Sequence, residues 1–237
     1  SGDFELSFEN AIAFSGLINS HDHLDFNLFP RMGNKIYHNY VEWGNDIHRN
    51  NKQQIDAILK IPQQLRTSWG IYRNLLNGFT TVVNHGAKLA TENASIEVFQ
   101  QCYNLHSVRL EKFWKLKLNK VLRHPWPIVI HAGEGTDAAS AEEIDQLVKW
   151  NIRKRKLIAI HGVAMNNSQA KNFMGLVWCP ATNLFLLGKT ARVQHLQHHT
   201  TIVFGTDSTL TASWNAWEQL RQALQLKLLT AGRYMKL

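Results

Sequence analysis

Short apolar runs recur along the chain, each closing on a polar or ionisable residue, with helical spacing between them. Their β-branched content and Gly/Pro punctuation predict strands at 15–19, 80–84, 128–131, 157–161, 176–179 and 201–206. Helices are predicted at 52–76, 94–102, 141–150 and 214–229. Runs such as Ile128-Val-Ile and Leu157-Ile-Ala-Ile are apolar at successive positions, so both faces of those strands are buried. Such strands alternating with helices predict an α/β fold with a parallel sheet covered on both sides. No linker, composition shift or repeat divides the chain.

The strand ends carry the candidate chemistry. The runs close as Gly16-Leu-Ile-Asn-Ser-His21-Asp-His23, Pro127-Ile-Val-Ile-His131, Leu157-Ile-Ala-Ile-His161 and Ile202-Val-Phe-Gly-Thr-Asp207. In a β/α barrel the C-terminal strand ends converge on one open face, where barrel active sites lie. Alternation turns His21 and His23 the same way, with Asp22 aside, so both imidazoles reach one ion. Three neutral imidazoles and a carboxylate suit one divalent metal, zinc first, with iron or manganese as alternatives. Core packing alone does not require four apolar strands to end in ligand-type residues.

Composition narrows the class. The 237 residues are 44% hydrophobic and 19% charged, a globular balance, and slightly fewer than the roughly 250 of a single barrel. The net charge of +8 invites a nucleic-acid reading, but the one dense cluster, Arg153-Lys-Arg-Lys156, falls between a helix and a strand, where a solvated turn suffices. Cys102 and Cys179 are far apart, so neither a disulfide framework nor a thiolate zinc site is expected. No apolar span and no basic leader is visible, so the expected location is cytoplasmic. The expected partners are a small-molecule substrate and a second copy in a homodimer, with no nucleic acid and no membrane.

The ordered set of the His21-Asp-His23 run, Gly78-Phe-Thr-Thr81, His131-Ala-Gly-Glu134, His161-Gly162, Trp178-Cys-Pro-Ala-Thr-Asn183 and Gly205-Thr-Asp-Ser208 resembles the amidohydrolase superfamily. It is most similar to the branch of cytosine and guanine deaminases and chlorohydrolases. The resemblance implies a distorted (β/α)8 TIM barrel in which a metal-activated water attacks a carbon bonded to nitrogen or another leaving group. Residue by residue, it implies His21, His23, His131 and Asp207 as metal ligands, Glu134 as proton shuttle, and His161 as a substrate-polarising group beside the catalytic Asp207. Arg31, His85, Trp178 and Asn183 are the expected substrate contacts, and the loops carrying Phe29, Arg31 and Trp214 are expected to set substrate identity. Lys112, Lys115 and Lys117 lie where two-metal members carry a bridging lysine, but no motif selects one, and the HxxE spacing favours one metal.

The implied activity is hydrolysis of non-peptide carbon–nitrogen bonds, foremost deamination of an aminated heterocycle. A cyclic amidase, lactamase or chlorohydrolase is the alternative in the same site, and a non-catalytic metal-containing binding protein is the alternative of a different class. Gly133-Glu-Gly-Thr-Asp-Ala138 mimics a dinucleotide fingerprint, but the next strand ends in His161 rather than an acid. His195, His198 and His199 are read as a surface helix face at the opposite end of the strands. Only 47 residues separate Asn84 from His131, where three repeats need roughly 90. The expected organisation is therefore a remnant of an N-terminal β-sandwich or lead-in strand over 1–14 and the barrel over 15–237, with segments absent within 86–127 and at the ends.

Overall fold

The structure, a computed structural model, describes residues 7–12, 14–91, 93–230 and 232. The parallel architecture is as expected. Strands β1 (Leu17–Asp22), β2 (Phe79–Asn84) and β3 (Glu97–Phe99) form one sheet. Strands β4 (Tyr103–Ser107), β5 (Ile128–Ala132), β6 (Leu157–His161), β7 (Gly175–Trp178) and β8 (Thr201–Phe204) form a second, in chain order. Every pairing is parallel. Just beyond β8 the Asp207 amide donates to the His21 carbonyl at 3.0 Å, bringing the last strand beside the first. This is the layout of a distorted β/α barrel, and among the described residues no strand pairing joins β3 to β4 or β8 to β1. Gly205 permits the β8 to β1 approach, because a Cβ there would lie 2.8 Å from both the His21 Cβ and a Val177 methyl.

The region 94–102, predicted as a helix, is instead β3 and the lead into β4. Three residues separate Phe99 from Tyr103, far fewer than the crossover that neighbouring parallel strands need. The run 97–107 therefore serves as one interrupted strand, pairing first with β2 and then with β5. The helix predicted over 52–76 is divided into α2 (Lys52–Leu59) and α3 (Gln63–Leu76) at Pro62, whose ψ of 136° is extended and which has no N–H to continue a helix. The remaining helices are α1 (Tyr40–Asn50), α4 (Trp114–Asn119), α5 (Ala138–Trp150), α6 (Asn167–Ala170), α7 (Pro180–Leu187), α8 (Val193–Leu196) and α9 (Ala216–Gln225).

Alternation divides the second sheet into two apolar layers. Ile128, Ile130, Leu157, Ala159, Leu176 and Trp178 pack outward against helices with Ile144 and Leu147 of α5. Val129, Ile160, Val177 and Cys179 pack together on the other side. His131 follows this alternation to the Val129 side. His161 does not: the pleat would send it outward with Ala159, but its φ of +71° turns it away from that course. Asp207 likewise takes a φ of +57°.

Candidate metal centre and active site

Six histidines gather at the C-terminal strand ends. The ligand atoms of His21, His23 and His131 lie within 4.8 Å of one another, as do those of His21, His161 and Asp207. Asp207 Oδ1 is 3.8 Å from His21 Nε2 and 4.0 Å from His23 Nε2, and its Oδ2 is 4.0 Å from His161 Nε2. Two ligands on one zinc, each about 2.0–2.1 Å from it, stand roughly 3–3.5 Å apart, so these donors are a few tenths of an ångström wider than a loaded site and would close around a shared ion. His21 Nε2 is buried without a hydrogen-bond partner. An orphaned lone pair among such donors is the chemistry of a divalent-cation site, and the set fits one.

The surroundings set the orientation of each group. His131 Nδ1 donates to the His106 carbonyl at 2.8 Å, leaving Nε2 with the lone pair. Asp207 accepts from Ser208 N at 2.7 Å and from Thr182 Oγ1 at 3.1 Å. Asp22, turned aside as predicted, is wholly buried and accepts from Asn74 and Asn27 at 2.8 Å each. Arg73, 3.3 Å from Asp22, also donates to the Asp207 carbonyl at 2.8 Å, tying the ends of β1 and β8 together. Burial, then the neighbouring imidazoles, hold His21, His85 and His131 well below the usual histidine range, in the neutral form that binds metal.

Glu134 follows β5 through Gly133, whose φ of +67° and close approach to Ile144 exclude a side chain. Its Oε2 lies 3.6 Å from His161 Nε2. Burial pushes the Glu134 carboxyl well above the glutamate range, with repulsion from Asp207 and Glu143 adding to it. Asn183 Oδ1 accepts from His161 Nδ1 at 2.9 Å, so neutral His161 presents a lone pair at Nε2 towards Glu134.

A cavity of about 400 Å³ opens on these groups, with His23, His131, Glu134, His161 and Asp207 in its wall. Its other walls come from Phe26, His106 and the α1 residues Tyr40, Trp43 and Ile47. The four expected substrate contacts lie elsewhere. The Arg31 guanidinium sits over the Phe185 ring at 4.6 Å, outside this cavity. Trp178 is fully buried on the helix side of β7 and donates to Thr190 Oγ1. Asn183 is spent on His161, and His85 is buried against the rings of His131, His21 and His23. Phe29 packs into an apolar cluster with Met32, Ile47 and Ile55, and Trp214 edges a separate surface cavity. The three lysines considered for a metal bridge are exposed, with Lys115 over the Trp150 ring and Lys117 paired with Glu111.

The sequence reading overlooks α1 and β4. Asn39 caps α1, its side chain accepting from Val41 N and Glu42 N at 3.0 Å each, and the Asn-x-x-Glu spacing at 39–42 is a helix-start signal. Tyr103-Asn-Leu-His106 ends in a histidine as the other strand runs do. Glu143 is a further such residue: it accepts from Gly133 N at 2.8 Å, Arg109 Nε at 3.0 Å and Tyr40 Oη at 3.1 Å, bracing the turn that carries Glu134.

No protein-family model and no curated protein sequence matches the chain. Solved structures do. Aminofutalosine deaminase of Helicobacter pylori, in complex with methylthio-coformycin, aligns with a TM-score of 0.56 at 15% identity over 89% of this chain and 69% of its own. N-isopropylammelide isopropylaminohydrolase of Burkholderia multivorans aligns with a TM-score of 0.62 at 12% identity, over 93% and 70%. Atrazine chlorohydrolase of Arthrobacter aurescens, complexed with zinc, aligns with a TM-score of 0.52 at 16% identity, over 88% and 63%. At these identities the likeness shows a common fold, and the chain spans 63 to 70% of the length of these three structures.

Proposed function

We propose that the chain is a metal-dependent hydrolase of the amidohydrolase type that cleaves non-peptide carbon–nitrogen bonds, foremost by deaminating an aminated heterocycle. The observation that carries this reading is the position of Glu134: buried, 3.6 Å from His161 Nε2, and in the same cavity wall as His23, His131 and Asp207. A structural metal site has no use for a carboxyl so placed. His21, His23, His131 and Asp207 would hold the ion, zinc before iron or manganese. When bound, such an ion supplies Lewis acidity and lowers the pKa of water to about 7.

The chain's own groups do the rest. Asp207, its Oδ1 held by the Ser208 amide and its Oδ2 by the Thr182 hydroxyl, takes up a proton from the attacking water at a carboxylate oxygen. Glu134 holds a proton at Oε2 and passes it to a ring nitrogen or departing amine. His161, fixed through Nδ1 by Asn183, sets its Nε2 3.6 Å from Glu134 Oε2, where it orients the carboxyl electrostatically. Phe26, Tyr40 and Trp43 offer flat apolar walls for a planar heterocycle.

The proposal is tested by metal analysis followed by ammonia release from aminopurines, aminopyrimidines, triazines and cyclic ureas. A bound divalent ion with ammonia from one class supports it; ring opening without ammonia would move the activity to the amidase alternative. Two free thiols, Cys102 and Cys179, support a reducing, cytoplasmic setting. Within 86–127 the described residues form one interrupted strand and the six-residue α4.

A further inference from the structure

The positive charge of this chain is not spread over its surface. Of 26 Lys and Arg against 18 Asp and Glu, ten basic residues fall in 112–123 and 149–156, which hold no carboxylate. The rest of the chain is left with 16 basic and 18 acidic residues, so the entire excess belongs to these two segments. The fold joins them. Asn119 Nδ2 donates to the Trp150 carbonyl at 2.8 Å, and the Arg153 amide donates to Asn119 Oδ1 at 3.2 Å. Arg155 donates to the Lys120 carbonyl at 2.7 Å. Both segments lead into the starts of β5 and β6, and Ile128 N donates to the Lys156 carbonyl. Lys112 and Lys115 follow the cavity-lining Leu110 after the end of β4, whereas 119–123 and 149–156 lead into the starts of β5 and β6 at the N-terminal end of the barrel, and steering an anionic substrate into the site does not account for that part of the patch.

Apolar side chains stand among the cations. Phe113, Leu116, Val121 and Ile152 are between 68% and 79% exposed. Glu111, at the border, pairs with Lys117, while Lys112, Lys120, Arg123, Lys154 and Lys156 are exposed.

We propose that this face docks on the surface of a bilayer containing anionic lipid. Cations beside exposed aliphatic side chains match an interface where headgroups are negative and the acyl boundary lies just beneath. A nucleic acid would use the cations and could stack on Phe113, but it would leave Leu116, Val121 and Ile152, three of the four exposed apolar side chains, unused. The expectation of no membrane partner rests on the lack of an apolar span; among the described residues no helix is long and apolar enough to cross a membrane, and a peripheral face needs none.

The test is co-sedimentation of the whole chain with phosphatidylcholine vesicles, with and without about 30% phosphatidylserine. Binding to the anionic vesicles alone is expected, with loss at about 1 M salt, where the screening length is about 3 Å. Lys154→Glu with Lys156→Glu weakens binding at least roughly tenfold. Val121→Ser with Ile152→Ser weakens it too, and Lys171→Glu, outside the patch, does not. Equal binding to neutral vesicles, or none to anionic ones at low salt, overturns the proposal. So does duplex DNA that displaces the vesicles and binds the Val121→Ser, Ile152→Ser variant undiminished, which assigns the face to nucleic acid.

Discussion

The two ends of the barrel treat ionisable side chains in opposite ways. At the C-terminal strand ends, His21, His131, His161, Glu134 and Asp207 are buried, His131, His161 and Asp207 are held by hydrogen bonds, and the imidazoles are kept uncharged by their surroundings. At the N-terminal ends, Lys154 and Lys156 stand in solvent, in a segment without carboxylates. The first arrangement costs folding energy and is retained only where buried polar groups have work to do. The second costs little, because water solvates each charge. Substitutions at the two ends should therefore differ in kind: chemistry and stability at one, association at the other.

The largest effect is expected for His21→Ala, which removes the unpartnered donor at the centre of the cluster. Bound metal and turnover should both fall below detection, read by elemental analysis and ammonia release. Glu134→Gln keeps the donor set, so metal content should stay while turnover falls about 10²- to 10⁴-fold. Retained metal with unchanged turnover would remove Glu134 from the chemistry. Arg73→Ala leaves Asp22 buried without its cation and frees the Asp207 carbonyl, so denaturant unfolding should show a loss of about 3–5 kcal/mol.

Smaller effects sharpen the contrast. Asp137 caps α5, accepting from Ser140 N at 3.0 Å, and Asp137→Ala should cost about 1 kcal/mol by the same unfolding measurement. Partial burial pushes the Asp137 carboxyl up, but hydrogen bonds from Ser140 and Asn39 outweigh this and hold it below the aspartate range. Its stabilisation is therefore present above the unfolded pKa near 4 and lost as pH falls through the lowered value. Asp137→Asn should flatten that acid limb of the stability profile. Lys154→Glu with Lys156→Glu, at the other end, should change stability by no more than about 0.5 kcal/mol per site.

Legibility in the sequence follows the same division. β5 and β6 are buried on both faces, so their apolar runs stand out and their terminal His131 and His161 can be read as a pair. β3 is three residues long with Glu97 at its start, and its identity as a strand rests on pairing with β2, which local periodicity does not carry. Reading it as a helix hid β4 and with it His106. The clustered histidines His21, His23 and His131 are legible because a backbone alternation of two places them. The cavity walls are not, because Tyr40 and Trp43 reach the site through the packing of α1 over the strand ends. Trp178 and Asn183, expected as substrate contacts, lie outside the cavity wall for a related reason: they are near the site in sequence, but the one faces the outer helices and the other is bound to His161.

The most direct test of the account is metal content measured together with ammonia release for the chain and its Glu134→Gln variant. The account predicts about one divalent ion per chain in both, and ammonia from an aminated heterocycle only with Glu134 in place. A chain that folds and binds no divalent ion, or a Glu134→Gln variant that releases ammonia at the unaltered rate, would contradict it.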